Sequence, residues 1–245
     1  MNTQTTTILQ LEGVKRTYTK GEGEVHALAG VDLAIKKGEF LAVVGPSGSG
    51  KTTLLNIVGC LDSPTSGAVS YLGRPLAAMS ENELSDYRKE HISFIFQSYN
   101  LIPVLTVREN VELPLVIEKK LDKQEIRQKA EAILAQVGLE GLGERYPREL
   151  SGGQEQRVAI ARALIKDPVI ILADEPTANL DSHTAKDIID IMRRINHETE
   201  ATFIFSTHDP MVKERADRVI TIKDGAISSD EVKPSAGTGK AGGTT

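Results

Sequence analysis

The chain has 245 residues, 40% of them apolar, and a formal net charge of −5. That length and apolar share suit one domain with a real core, and the acidic balance excludes the basic footprint of a DNA or RNA binder. No apolar run approaches the roughly 20 residues needed to cross a bilayer, so a membrane role must come through another chain.

In chain order, residues 1–7 are polar, lack the apolar stretch of a signal peptide, and are expected to be disordered. Residues 8–39 alternate and turn, which predicts a small antiparallel layer. Phe40-Leu41-Ala42-Val43-Val44 predicts a buried strand. It runs into Gly45-Pro46-Ser47-Gly48-Ser49-Gly50-Lys51-Thr52, which fits the pattern G-x-x-x-x-G-K-[ST]. A triphosphate needs many N–H donors packed close, and glycine lets the backbone bend around it without a side chain in between. Lys51 supplies a cation for the β and γ phosphates, and the Thr52 hydroxyl can ligate Mg²⁺. The following helix, to about residue 58, points the positive end of its dipole at the anion. The pattern alone occurs by chance in on the order of one chain in a hundred of this length, so the strand–loop–helix context decides for a ligand. Cys60, the only cysteine, cannot form an internal disulfide, which is compatible with a reducing cytosol.

From residue 81 to about 166 the pattern turns helical. Ile126, Ala130, Ile133, Leu134 and Val137 form one stripe, read as core packing, ended by Gly138. The segment is expected to be an all-helical insertion between halves of the sheet. Near its end, Ser151-Gly152-Gly153-Gln154 opens a helix that Asp167-Pro168 stops. Ser151 is a good N-cap, and unpaired amides of the glycine pair make an anion site. Taken alone, a capped helix after a glycine turn is the safer reading. One fold already holds its own nucleotide at residues 45–52, so a second γ-phosphate site points to the nucleotide of a partner.

Val169-Ile170-Ile171-Leu172-Ala173 reads as a central parallel strand covered on both faces. Ligands bind at the carboxyl ends of such strands, where Asp174 and Glu175 fall. Asp174 is placed to hold Mg²⁺ through water and Glu175 to polarise the attacking water, a role worth roughly 10²–10⁴ in rate. Ile188, Ile191, Met192 and Ile195 mark an amphipathic helix. Residues 201–206 form the next strand and present His208 at its end. Residues 218–222 and 226–228 predict a hairpin around Lys223-Asp224-Gly225. From residue 229 the chain is polar and Gly/Thr-rich, and disorder is expected. His26, His91, His183 and His197 lack metal spacing and are expected on the surface or in packing. There is no internal repeat.

The elements resemble, in order, those of ATP-binding cassette (ABC) ATPases over roughly residues 8–228. The matching stretches are residues 45–53 including Thr53, Phe96-Gln97, Leu150-Ser151-Gly152-Gly153-Gln154, Ala173-Asp174-Glu175-Pro176-Thr177, Asn179-Leu180-Asp181 and Ser206-Thr207-His208-Asp209. The resemblance implies an α/β fold of the P-loop NTPase (RecA-like) type. It would have an N-terminal antiparallel β subdomain and an inserted α-helical subdomain at about residues 98–166. It also implies roles. Tyr18 would stack on adenine, and Gln97 would link Mg²⁺ and the attacking water to a membrane partner. Residues 151–154 would contact ATP held by the other subunit, Asp181 would lie on the loop crossing the dimer interface, and His208 would sense γ-phosphate. ATP and Mg²⁺ are the implied cofactors, with a homodimer and an integral membrane permease as partners and no nucleic acid. The chain would sit peripherally at the cytoplasmic face of a bacterial inner membrane.

Asn100-Leu101-Ile102-Pro103-Val104-Leu105-Thr106-Val107 and the wording around residues 45–56 and 174–181 look like the lipoprotein-releasing and macrolide-export group. Export or extraction of a lipophilic substrate is therefore expected, alongside a mechanotransmission role in cell-wall cleavage that the sequence barely separates from it. Cytosolic relatives in DNA repair or translation usually carry two cassettes, long coiled coils or basic patches, none of which occurs. A small-molecule kinase has no use for residues 151–154. Glu155 departs from the glutamine frequent in that group and is expected to weaken the closed dimer. The segment from Gln97 through Tyr99 and Leu101 is expected to face the permease.

Overall fold

The computed structural model describes residues 6–21 and 23–233. Strands β1 (Thr7–Lys20) and β2 (Gly23–Lys36) pair antiparallel, with Leu11 opposite Leu33. Their period-two apolar residues, Leu9, Leu11, Leu33 and Ile35 among them, turn to one buried face. β3 (Phe40–Val44) follows, then the glycine loop and α1 (Lys51–Val58). β4 (Ser66–Tyr71) and the two-residue β5 (Arg74–Pro75) return to the first layer, which has the order β2-β1-β4-β5. The antiparallel layer thus draws on residues 66–75 as well as on residues 8–39.

α2 (Glu81–His91) leads directly into β6 (Ile92–Ile95). The helical layer follows as α3 (Val107–Glu118), α4 (Lys123–Gln136) and α5 (Gly152–Leu164). The main sheet resumes with β7 (Ile170–Asp174), α6 (Ser182–Thr199), β8 (Thr202–Ser206), α7 (Pro210–Arg215), β9 (Arg218–Lys223) and β10 (Ala226–Val232). Its order is β10-β9-β3-β8-β7-β6, parallel except for the β9–β10 hairpin. The expected P-loop α/β architecture is present, with its antiparallel layer and its helical layer.

Two expectations are corrected. The stretch from residue 81 to 166 is not all helical, because β6 lies inside it as the edge strand beside β7. Four residues are too few to display a period, and no glycine or proline separates them from α2. The polar tail does not begin at residue 229 either: Ser229, Asp230, Glu231 and Val232 pair with β9. Arg218 holds this edge by donating to both Asp230 oxygens at 2.8 and 2.7 Å, while also reaching Glu39. Lys233 donates to the carbonyls of Lys213 and Glu214, capping the end of α7. The remainder of the expected disordered ends, residues 1–5 and 234–245, lies outside the described residues.

Continuous apolar strands arise because both faces of the main sheet are covered. Ile171 and Ala173 face α5 and α6, packed with Phe40, Phe203 and Phe205. Ile170 and Leu172 face α1 and the antiparallel layer. Burial of each such Ile or Phe side chain contributes about 1.5–3 kcal/mol. The two-sided core fixes the carboxyl ends of β3, β7 and β8, and the chemistry-bearing residues follow those ends.

Candidate functional site

The glycine loop joins β3, flanked in the sheet by β8 and β9, to α1. Gly48 has φ 77 and open space where a Cβ would stand, so its backbone conformation rather than crowding calls for glycine. At Gly45 a Cβ would come within 2.2 Å of the Ile222 carbonyl oxygen. α2, α3, α4, α5, α6 and α7 are capped by the side chains of Ser80, Thr106, Asp122, Ser151, Asp181 and Asp209. α1 has Gly50 at that place, no side-chain cap and no acid in its first turn. Its leading amides and dipole are left to an external anion. Pro46, Ser47 and Gly48 are exposed, and Ser49 Oγ is buried without a partner. Lys51 Nζ donates to the carbonyls of Gly45 and Pro46 at 2.8 and 2.9 Å, curling over the loop. This donor set fits a polyphosphate.

β7 delivers Asp174 to the same end of the sheet. Burial pushes its carboxyl above the ordinary range, the charge of Glu175 adds to this, and Lys51 opposes it. Thr52 is exposed at the start of α1. The Thr52 hydroxyl and Asp174 carboxylate are hard oxygen donors, too few for a cage, and fit a Mg²⁺ shared with phosphate. Glu175 leaves the strand with φ 46 and its N–H bonded to the Ser206 carbonyl at 2.9 Å. Its carboxylate accepts from His208 Nδ1 at 2.7 Å and from Thr207 Oγ1 at 3.2 Å. A carboxylate only accepts, so His208 carries a proton on Nδ1 and turns Nε2 outward. The neighbouring loop is tied in: Thr177 Oγ1 donates to Asp209 at 2.7 Å, and the Asp209 N–H donates to Thr207 Oγ1.

Residues 45–53, Asp174, Glu175 and His208 therefore gather around the ends of β3, β7 and β8. Gln97 is exposed just beyond β6, and its carbonyl accepts from Asn179 Nδ2 at 3.0 Å, on the loop that follows Glu175. Tyr18 lies on β1, apart from the phosphate loop. Its hydroxyl donates to Asp62 at 2.6 Å, and the Arg16 guanidinium covers one ring face at 4.5 Å from the centroid. Ser151, Gly152, Gly153 and Gln154 stand at the start of α5, in the helical layer. Ser151 Oγ accepts from the Gln154 N–H at 3.4 Å, and Gln154 Oε1 accepts from the Ser151 N–H at 2.9 Å. Among the described residues, no hydrogen bond joins residues 151–154 to residues 45–53. Leu101 packs partly buried against the core. His26, His183 and His197 are exposed and His91 is half-buried beside Tyr87, as expected.

Sequence reasoning missed Thr207, Asn179 and Asp62. Thr207 and Asn179 lie within quoted motifs, but their bonds depend on which strand ends meet. Asp62 reaches Tyr18 across 44 residues, and no local pattern carries that pairing.

A phosphate loop between strand and helix, with acids at the end of a parallel strand, defines a P-loop nucleotide-binding fold. Residues 28–178 match the family model described as ABC transporter, and this chain belongs to that family. It is 45% identical to the uncharacterized ABC transporter ATP-binding protein MJ0796 of Methanocaldococcus jannaschii, covering 91% of this chain and 97% of that one. The lipoprotein-releasing system ATP-binding protein LolD 1 of Rhodopseudomonas palustris is 42% identical, over 90% and 98%. The macrolide export ATP-binding/permease protein MacB of Shigella flexneri is 46% identical over 91% of this chain but only 34% of its own length. The chain thus spans about a third of the MacB relatives. A solved dimer of the MJ0796 cassette, described as a post-hydrolysis state bound to ADP and phosphate, matches with TM-score 0.85 and 44% identity, over 93% and 99%.

Proposed function

We propose that the chain is the ATP-hydrolysing motor subunit of an ABC transporter, acting as two copies around two ATP molecules and driving a separate membrane permease. The observation that carries this reading is the separation of two glycine-bearing helix ends, the first uncapped and the second capped by its own Ser151. One, at residues 45–53, lies beside Asp174, Glu175 and His208; the other, at residues 151–154, stands on the helical layer away from it. A second copy turned about a two-fold axis would bring its residues 151–154 over the first copy's phosphates. The dimeric MJ0796 cassette supports this arrangement.

In this reading Lys51 exchanges its two loop carbonyls for the β and γ phosphates, and the α1 amides hold the rest of the chain of phosphates. Thr52, Asp174 and Gln97 would hold Mg²⁺, which when bound neutralises phosphate charge. Glu175 orients and polarises the attacking water, and His208 Nδ1–H keeps that carboxylate aimed; only with a proton on Nε2 as well would the ring also donate to a γ-phosphate oxygen. Tyr18 offers adenine the ring face that Arg16 leaves open.

No helix among the described residues is long and apolar enough to cross a membrane. A groove of ≈ 300 Å³ beside β6 has an apolar floor of Leu61, Phe94, Phe96 and Pro114 and is also lined by the basic residues Arg88, Lys89, Arg162 and Lys166. It suits a short helix of the permease and would hold the chain at the cytoplasmic face of the membrane. The relatives named for lipoprotein release and macrolide export support a lipophilic substrate, exported or extracted. Glu175→Gln is the test. It should bind ATP, lose turnover by about 10²-fold or more, and elute as a dimer with ATP but as a monomer without it. Wild-type phosphate release from that variant, or a dimer indifferent to ATP, sinks the reading.

A further inference from the structure

The loop after β6 is pinned at three places. Near its start the Gln97 carbonyl is held by Asn179, on the loop that follows Glu175. At its far end Asn110 of α3 accepts from the Ile102 N–H at 2.7 Å and donates to the carbonyls of Ile102 and Leu105, both at 3.1 Å. Between them stands Arg162, in the last turn of α5, whose two terminal nitrogens donate to Tyr99 O at 2.6 Å and Asn100 O at 2.5 Å. Tyr99 and Asn100 are consecutive and left-handed, with φ 58 and 51, and neither is glycine. Asparagine enters that region more readily than other L residues, but tyrosine avoids it, and two such residues in succession need something to hold them. Each carbonyl meets its own nitrogen of one planar fork, which fixes direction as well as distance; a lysine reaches two adjacent carbonyls from a single atom, as Lys51 does, and leaves their plane unset.

We propose that Arg162 is a positioning residue that carries movement of α5 to the exposed loop around Val104. The inference rests on the reading of the chain as an ATP-closed dimer. In that dimer the N-terminus of α5 meets the partner's nucleotide, so the helix is displaced on closure. Its last turn then pulls on Tyr99 and Asn100, and the strained pair shifts the segment between them and Asn110. A bland alternative is a cation shielding two carbonyls, which any basic side chain could do.

The chain contains no tryptophan, and Val104 is 77% exposed, so Val104→Trp in the Glu175→Gln background is a single reporter on the loop. Its emission is followed while Mg·ATP is added, with size exclusion on the same samples. The expected result is an emission change on closure with Arg162 present, and its loss in both Arg162→Lys and Arg162→Ala although both still dimerise with ATP. A parent that dimerises without an emission change overturns the proposal. So does an Arg162→Lys or Arg162→Ala variant that keeps the change, since the fork is then not needed. Loss of the dimer in both Arg162 variants assigns the residue to the stability of α5 and also overturns it. Failure of the parent itself to dimerise defeats the motor reading instead.

Discussion

Glu175 and His208 constrain each other. A non-glycine residue in the left-handed region costs about 1–2 kcal/mol, and Glu175 is kept there by its N–H bond to Ser206 and by His208 and Thr207 on its carboxylate. Tyr18 is similarly pre-set, anchored by Asp62 and backed by Arg16. If its free face takes adenine, Tyr18→Ala should raise the ATP dissociation constant about tenfold, in line with roughly 1–3 kcal/mol for stacking. Tyr18→Phe should keep most of the affinity; equal affinities of the Ala and Phe variants by calorimetry would reduce Tyr18 to packing. Glu155 is the residue out of keeping with its neighbours. Burial pushes its carboxyl above the ordinary range, and no ionic partner offsets this among the described residues. The folded chain then binds more protons than the unfolded one between the two values, so stability falls as pH rises through that window. Glu155→Gln should raise the thermal midpoint in neutral buffer, with the gain gone below the ordinary carboxylate range. A gain that is flat with pH would reject that cause. The residue-scale site was legible because its groups sit in short consecutive runs. Asp62 was not, because its partner is brought to it only by the pairing of β1 with β4.

At the scale of elements, legibility followed length and environment. The strands buried on both faces announced themselves as apolar runs, whereas β6 is too short and too closely joined to α2 to do so. β10 was hidden by composition. Its outer half is polar because it forms a sheet edge, and backbone pairing with the Arg218–Asp230 bridge holds it in place of apolar burial. An ion pair of this kind contributes about 1 kcal/mol or less to global stability. Asp230→Ala should therefore leave the thermal midpoint nearly unchanged while the amides of Ser229, Glu231 and Val232 exchange up to about fivefold faster, as local opening allows. Unchanged exchange there would mean that backbone pairing alone holds the strand.

For the whole molecule, the sequence announced two phosphate-type sites, and the fold keeps them on separate layers. Residues 45–53 end a sheet strand, while residues 151–154 begin a helix of the inserted layer. The central claim is that one copy's layer completes the other copy's sheet. Mixing two disabled chains tests this most directly. Lys51→Ala removes the phosphate cation, and Ser151→Arg blocks the α5 end; each alone should have almost no turnover. In an equal mixture, a mixed dimer pairs the intact phosphate loop of one chain with the intact residues 151–154 of the other. Phosphate release should recover to about a quarter of wild type, since half the dimers are mixed and each holds one whole site of two. No recovery on mixing, with both proteins folded and able to exchange partners, would contradict a site built from two copies.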